Sequence, residues 1–138
     1  MHKAKALIIS CIDFRFQDYV FNWLKDNQYL GHCDLYSIAG CSRDLVKPLD
    51  ATHKENFLRN VGISVKLHDP DEIIILDHQD CGGYAQDDTI PSMLEKEKDI
   101  DRHKEFAQKA RTILSEIYPS LEIKTMYIGL DGEVQDLS

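Results

Sequence analysis

Two short clusters in this chain gather residue types that bind metal ions. The first is Cys11-Ile12-Asp13-Phe14-Arg15, and the second is His78-Gln79-Asp80-Cys81-Gly82-Gly83. Cys11, His78 and Cys81 offer two thiolates and an imidazole. That is a zinc-type donor set, and three protein ligands leave a fourth position open. The His-x-x-Cys spacing lets His78 and Cys81 reach one ion from a single turn. The glycines after Cys81 permit a tight turn, and a helix beginning there would favour the thiolate. A single cysteine after a strand is commonly a packed thiol, and a single histidine is commonly a surface or hydrogen-bonded residue. Two ligand-type clusters in one chain are harder to derive from packing alone. His2, His32, His53, His68 and His103 have no ligand-like surroundings and read as structural or solvated.

The elements around these clusters must bring them together. Ala6 to Ser10 is a short apolar run of the kind a fully buried strand shows, and Cys11 follows it directly. Phe16, Val20, Trp23 and Leu24 then share one helical face, with Gly31 as the stop. Asp34 to Ala39 reads as a second strand. After Pro48-Leu49-Asp50, the residues Phe57, Leu58, Val61 and Val65 make a helical stripe that Asp69-Pro70 closes. Glu72 to Asp77 is the strongest strand signal, and His78 follows it. A loop or helical turn rich in Gly and Asp is expected from His78 to Asp88. A long helix is expected from about Asp101 to Tyr118, ended by Pro119. Ile123 to Leu130 is a further strand, and Asp131-Gly132 signals a hairpin into Val134 to Leu137.

Alternating strands and helices predict an α/β fold. Its expected form is a mostly parallel central sheet of four strands, an antiparallel C-terminal edge strand, and helices on both faces. In open α/β sheets, sites form beyond the carboxyl ends of strands where strand order reverses. If the first and third strands are neighbours there, Cys11, His78 and Cys81 converge on one point.

With 138 residues, residues 1–138 read as a single domain, long enough to bury roughly 70% of its unfolded surface. Hydrophobic residues at 43% and charged residues at 29% are ordinary globular values, which excludes collagen-like, disordered and disulfide-scaffold chains. The net charge of −8 leaves few cations to displace counterions from a phosphate backbone, so no nucleic-acid partner is expected. No stretch approaches the about 20 apolar residues of a membrane span. The run from Met1 to Ser10 is too short for a signal peptide's apolar core. A cytoplasmic protein is expected, with no membrane partner. In a reducing compartment Cys11, Cys33, Cys41 and Cys81 serve packing, metal binding or catalysis more often than disulfides.

Cys-x-Asp-x-Arg after the first strand and His-x-x-Cys-Gly after the third resemble the β-class carbonic anhydrases. Ala39-Gly40 falls where that family carries an Ala-Gly pair. The resemblance runs in element order from about Leu7 to Leu137. It implies Zn2+ held by Cys11, His78 and Cys81, with Asp13 and Arg15 as the catalytic dyad. The implied activity is reversible hydration of CO2 to bicarbonate by zinc-bound hydroxide, in a homodimer or higher homo-oligomer. Two thiolates largely neutralise a zinc charge, so a carboxylate that accepts the water's hydrogen bond becomes useful. Asp13 suits that role, and Arg15 can grip it through a planar fork. In this family the Asp can also leave the Arg and become a fourth zinc ligand. Here the chain resembles a short form without the family's N-terminal helical arm. Ser37-Ile38 stands where Arg-Asn is usual, and Cys41 stands where Asn is usual. Cys41 reads as a packed thiol, with a place near the metal as the alternative. Two other functions use the same zinc site: hydrolysis of carbonyl sulfide or carbon disulfide, and a non-catalytic zinc-binding domain. A purely structural zinc needs neither Asp13 nor Arg15. A thiol-redox protein lacks its Cys-x-x-Cys pair, and no phosphate-binding glycine motif occurs.

Overall fold

The structure, a computed structural model, describes residues 2–86 and 95–138. Its elements run β1 (Ala6–Ser10), a 3-10 turn at Phe14–Phe16, α1 (Gln17–Asp26), β2 (Cys33–Ser37), α2 (Arg43–Val46), α3 (Ala51–His68), β3 (Glu72–His78), α4 (Lys96–Ile117), β4 (Glu122–Ile128) and β5 (Val134–Asp136). The strands form one sheet in the order β2-β1-β3-β4-β5. The pairings from β2 through β4 are parallel and β5 is antiparallel, as the alternation of elements predicts.

Every residue of β1 and β3 is buried, as unbroken apolar runs require in a sheet covered on both sides. The two-residue period then sends alternate side chains to opposite layers. Ala6, Ile8, Ile74 and Leu76 meet Phe16, Val20 and Leu24 on one face. Leu7, Ile9, Ile73 and Ile75 meet Phe57 and Val61 of α3 and Ala110 and Leu114 of α4 on the other. Asp50 caps α3 by accepting from the Thr52 amide at 2.8 Å, and Asp69 closes it in the left-handed region. Among the described residues, no helix is long and apolar enough to cross a membrane.

Several boundaries differ from the sequence expectation. The first helix stops at Asp26 rather than near Gly31, because the Tyr29 and Leu30 amides both turn back to the Leu24 carbonyl. Gln28 and Gly31 then take positive φ in the turn that follows. Phe16 lies in the 3-10 turn rather than in the helix. The second strand ends at Ser37 rather than Ala39. The last helix begins at Lys96, five residues before the expected Asp101. The short helix α2 carries no apolar stripe long enough to be seen in sequence. Of the expected loop to Asp88, Asp87 and Asp88 lie outside the described residues.

Two loops meet backbone to backbone above the sheet. A Cβ on Gly83 would come within 2.4 Å of the Gly40 nitrogen and 2.7 Å of its Cα. Both glycines are therefore needed for close approach, and Gly40 also has φ +78. Gly82, by contrast, has open space around it. Gly83→Ala should destabilise the fold by about 1–3 kcal/mol through forced separation of the loops. Gly82→Ala should stay within about 0.5 kcal/mol of wild type. Urea unfolding of the two variants checks the contrast.

Candidate metal centre

β1 is paired with β2 on one side and β3 on the other, so strand order reverses between β1 and β3. Ser10 lies opposite Leu76 in the parallel register. Cys11 leaves the sheet there, while β3 continues through Asp77 to His78 and then turns. Asp80 adopts φ 56 in that turn, and the chain returns with Cys81 facing Cys11. The two sulfurs stand 3.8 Å apart, far beyond a disulfide bond of about 2.05 Å. All four cysteines are free. The ligand atoms of Cys11, His78 and Cys81 lie within 4.8 Å of one another, and among the described residues no other such trio converges. The three residues singled out in the sequence therefore do come together.

The donor set fits a tetrahedral ion. Zinc–sulfur bonds of about 2.3 Å at a tetrahedral angle place two sulfurs about 3.8 Å apart, which is the separation found between Cys11 and Cys81. His78 is 2% exposed. Its Nδ1–H donates to the Gln79 carbonyl at 2.8 Å, which leaves Nε2 as the lone-pair nitrogen. Nε2 is buried with no hydrogen-bond partner among the described residues. Leaving such an atom unsatisfied costs about 1–3 kcal/mol, and coordination removes that cost. Phe16 stacks on the imidazole with centroids 4.1 Å apart and fixes its plane.

The thiols are unequal. Hydrogen bonding from Cys81 holds Cys11 well below the usual thiol range, and His78 and the Gly40 amide add to the effect. The same contact pushes Cys81 up, reinforced by burial. Burial works against a charged His78, but the Cys11 thiolate outweighs it and raises the imidazole. Cys41 is the packed thiol expected of it: its Sγ–H donates to the Leu76 carbonyl at 3.1 Å, and burial pushes it well up.

Asp13 and Arg15 flank this trio. Arg15 Nη2 donates to Asp13 Oδ2 at 2.7 Å, and Nε reaches both carboxylate oxygens at 3.1 Å. The Arg15 amide caps Asp13 Oδ1 at 3.0 Å. The guanidinium holds the Asp13 carboxyl below its ordinary value. Asp13 Oδ2 also lies 3.9 Å from His78 Nε2, so the carboxylate borders the donor set. Beside it opens a cavity of about 260 Å³ that Ile12, Phe14, Val20, Phe21 and Leu35 line with Asp13.

Sequence reasoning missed a buried polar layer beneath the site. Asp77, Asp99 and His103 are each at most 1% exposed. The His103 ring stands between the two carboxylates, 3.4 Å from Asp77 and 3.6 Å from Asp99. Tyr84 donates to Asp77 at 3.3 Å, and Tyr127 donates to Asp99 at 2.7 Å. His103, read from the sequence as structural or solvated, is buried between two carboxylates. Asp77 lay visibly next to His78, but nothing in the helical stretch around Asp99 marks it as inward-facing.

The whole chain, residues 1–138, matches the protein family described as "Putative carbonic anhydrase". Two uncharacterized rickettsial proteins resemble it over 99% of its length. The one from Rickettsia bellii is 32% identical, with 84% of its own length covered, and the one from Rickettsia conorii is 31% identical, with 74% covered. The fold matches β-carbonic anhydrases of known structure. One from Trichomonas vaginalis superposes with TM-score 0.58 at 19% identity, over 99% of this chain and 83% of that one. One from Sordaria macrospora gives TM-score 0.56 at 17% identity, over 100% and 82%. The chain belongs to this carbonic anhydrase family.

A depressed thiol pKa keeps the thiolate present below the pH at which ordinary thiols are protonated. With metal removed by a chelator, iodoacetamide should therefore still alkylate Cys11 near about pH 6, where an ordinary thiol reacts slowly. Cys41 should stay unmodified. Mass-spectrometric mapping checks both. A Cys11 rate that falls about tenfold per unit down from pH 8 would contradict the assignment.

Proposed function

We propose that this chain is a zinc-dependent carbonic anhydrase, interconverting CO2 plus water with bicarbonate plus a proton. The observation that carries the reading is the convergence of two thiols and an unpartnered imidazole nitrogen beside an Arg-held carboxylate. Cys11, His78 and Cys81 would hold the zinc. When bound, zinc supplies Lewis acidity that makes water nucleophilic near neutral pH.

The remaining chemistry belongs to the chain. Asp13, kept ionised by Arg15, accepts a hydrogen bond from the reacting water and fixes its orientation. Arg15 holds the carboxylate through Nε and Nη2 and keeps it from drifting to solvent. The Gln79 carbonyl holds His78 in the tautomer with Nε2 bare. Phe16 shields that ring, and the apolar wall of Ile12, Phe14 and Leu35 suits a small molecule with no net charge. Phe14 and Ile12 are 83% and 64% exposed at the cavity mouth. Apolar side chains so exposed favour cover by a second copy of the chain. The Sordaria macrospora enzymes are tetrameric, and a homodimer or larger assembly is part of this reading, in the cytoplasm.

Stopped-flow CO2 hydration on metal-quantified protein tests the function. Wild type should turn over with about one zinc per chain, and His78→Ala and Cys81→Ser should lose most of the metal. Arg15→Ala and Asp13→Asn should retain zinc but lose at least about tenfold in kcat. Activity on carbonyl sulfide with none on CO2 would redirect the reading to that substrate. No turnover on either substrate, at full zinc, would refute the enzyme.

Assembly is checked separately by light scattering. Phe14→Glu should shift the protein toward the monomer. A wild type that stays monomeric across a wide concentration range would remove the second copy from the account of the cavity mouth.

A further inference from the structure

Arg15 is shared between carboxylates on two different loops. Beyond its bonds to Asp13, its Nη1 donates to Asp80 Oδ2 at 3.3 Å, and its Nη2 donates to the Asp80 carbonyl at 3.0 Å. Asp80 sits between His78 and Cys81, directly before the cysteine, and has φ 56. Its amide donates to Asp99 Oδ2 at 3.2 Å. Asp99, on the first turn of α4, is fully buried. It also accepts from the Tyr127 hydroxyl of β4 at 2.7 Å and from Arg102 Nη2 at 2.6 Å. A continuous run of hydrogen bonds therefore leads from α4 and β4, through the turn bearing two donor residues, to the carboxylate beside the third.

The Asp13–Arg15 pair is bidentate, but the Arg15 side chain is 40% exposed, so with that partner alone the guanidinium is open to competition from water. Anchoring the far side of the guanidinium to a second loop, itself bonded to Asp99, restrains it. We propose that Asp80 is a positioning residue: fixed by Asp99, it clamps Arg15 so that the Asp13 carboxylate stays turned toward Cys11, His78 and Cys81. The inference rests on the reading of Asp13 as the acceptor for the reacting water, and Asp80 acts on that carboxylate through Arg15. The clamp also ties the two loops together, because Arg15 and Asp13 follow β1 while Asp80 follows β3.

The test uses zinc-loaded, full-length protein with Asp80→Asn and Asp80→Gly. Asn and Gly both tolerate the left-handed backbone, and both keep the carbonyl that accepts from Nη2. Either variant alone decides the question if the other fails to fold by circular dichroism. The first readout is the nitrogen-15 NMR signal of the Arg15 guanidinium. In wild type the two Nη groups should be resolved and rotate slowly. In either variant, rotation should accelerate at least about tenfold as the charge-assisted bond to Nη1 is lost. The second readout is CO2 hydration, where kcat should fall about 3- to 10-fold with zinc content and KM unchanged. Unchanged Nη rotation would overturn the clamp, whatever the activity. Faster rotation at unchanged kcat would overturn its positioning role. Faster rotation in a protein whose wild type hydrates no CO2 would support the clamp while refuting the reading of the site as a carbonic anhydrase.

Discussion

β1 and β3 lie side by side in parallel register, Ser10 against Leu76, with both strands buried along their whole length. Each contributes a donor cluster just where it leaves the sheet, and the rest of the chemistry depends on that shared edge. A slip of β1 by one residue against β3 would turn Ile8 toward the α3 layer and carry Cys11 away from the turn at His78. The burial of both strands on both faces forbids such a slip. The loops beyond the strands then lock together where Gly83 meets Gly40. Gly40 serves twice, since its amide also faces the Cys11 sulfur.

The electrostatics of this edge are arranged around groups that water no longer reaches. His78 Nε2 is buried without a partner, and two thiols face each other at a distance a bridging ion would satisfy. Metal bound by such a trio would displace protons, which would link affinity to folding. Beneath it, Asp77 and Asp99 are removed from solvent, and Tyr84, Tyr127 and Arg102 donate to their carboxylates. This layer gives the His78–Cys81 turn a stiff floor. It also joins the turn to α4, an element that contributes no donor of its own to the trio.

The strands and the donor trio were legible in the sequence for physical reasons. Apolar runs at Ala6 to Ile9 and Ile73 to Leu76 mark central strands, and Cys and His just beyond them are hard to explain by packing. Asp13 and Arg15 gained meaning only by resemblance, and they do form the expected fork. What stayed hidden depends on tertiary contact. Phe16 read as one member of a helical stripe, but its stacking on His78 requires the sheet to be built first. Asp80 lay inside a quoted motif, yet its hold on Arg15 joins residues 65 positions apart. Asp99 and His103 lie on a largely polar helix, where burial follows from how α4 meets β4 rather than from any local pattern. Helix ends shifted where backbone turns, such as that at Gln28, stopped a periodicity before its glycine.

X-ray absorption at the zinc edge of the purified, full-length protein tests the central claim most directly, because it reads the donor set without relying on turnover. Two sulfur scatterers at about 2.3 Å with nitrogen or oxygen completing a four-coordinate shell near about 2.0–2.1 Å are expected. The sulfur count should fall to one in Cys81→Ser protein that keeps residual metal. A wild-type shell with no sulfur, or with more than two, would contradict a centre built from Cys11, His78 and Cys81.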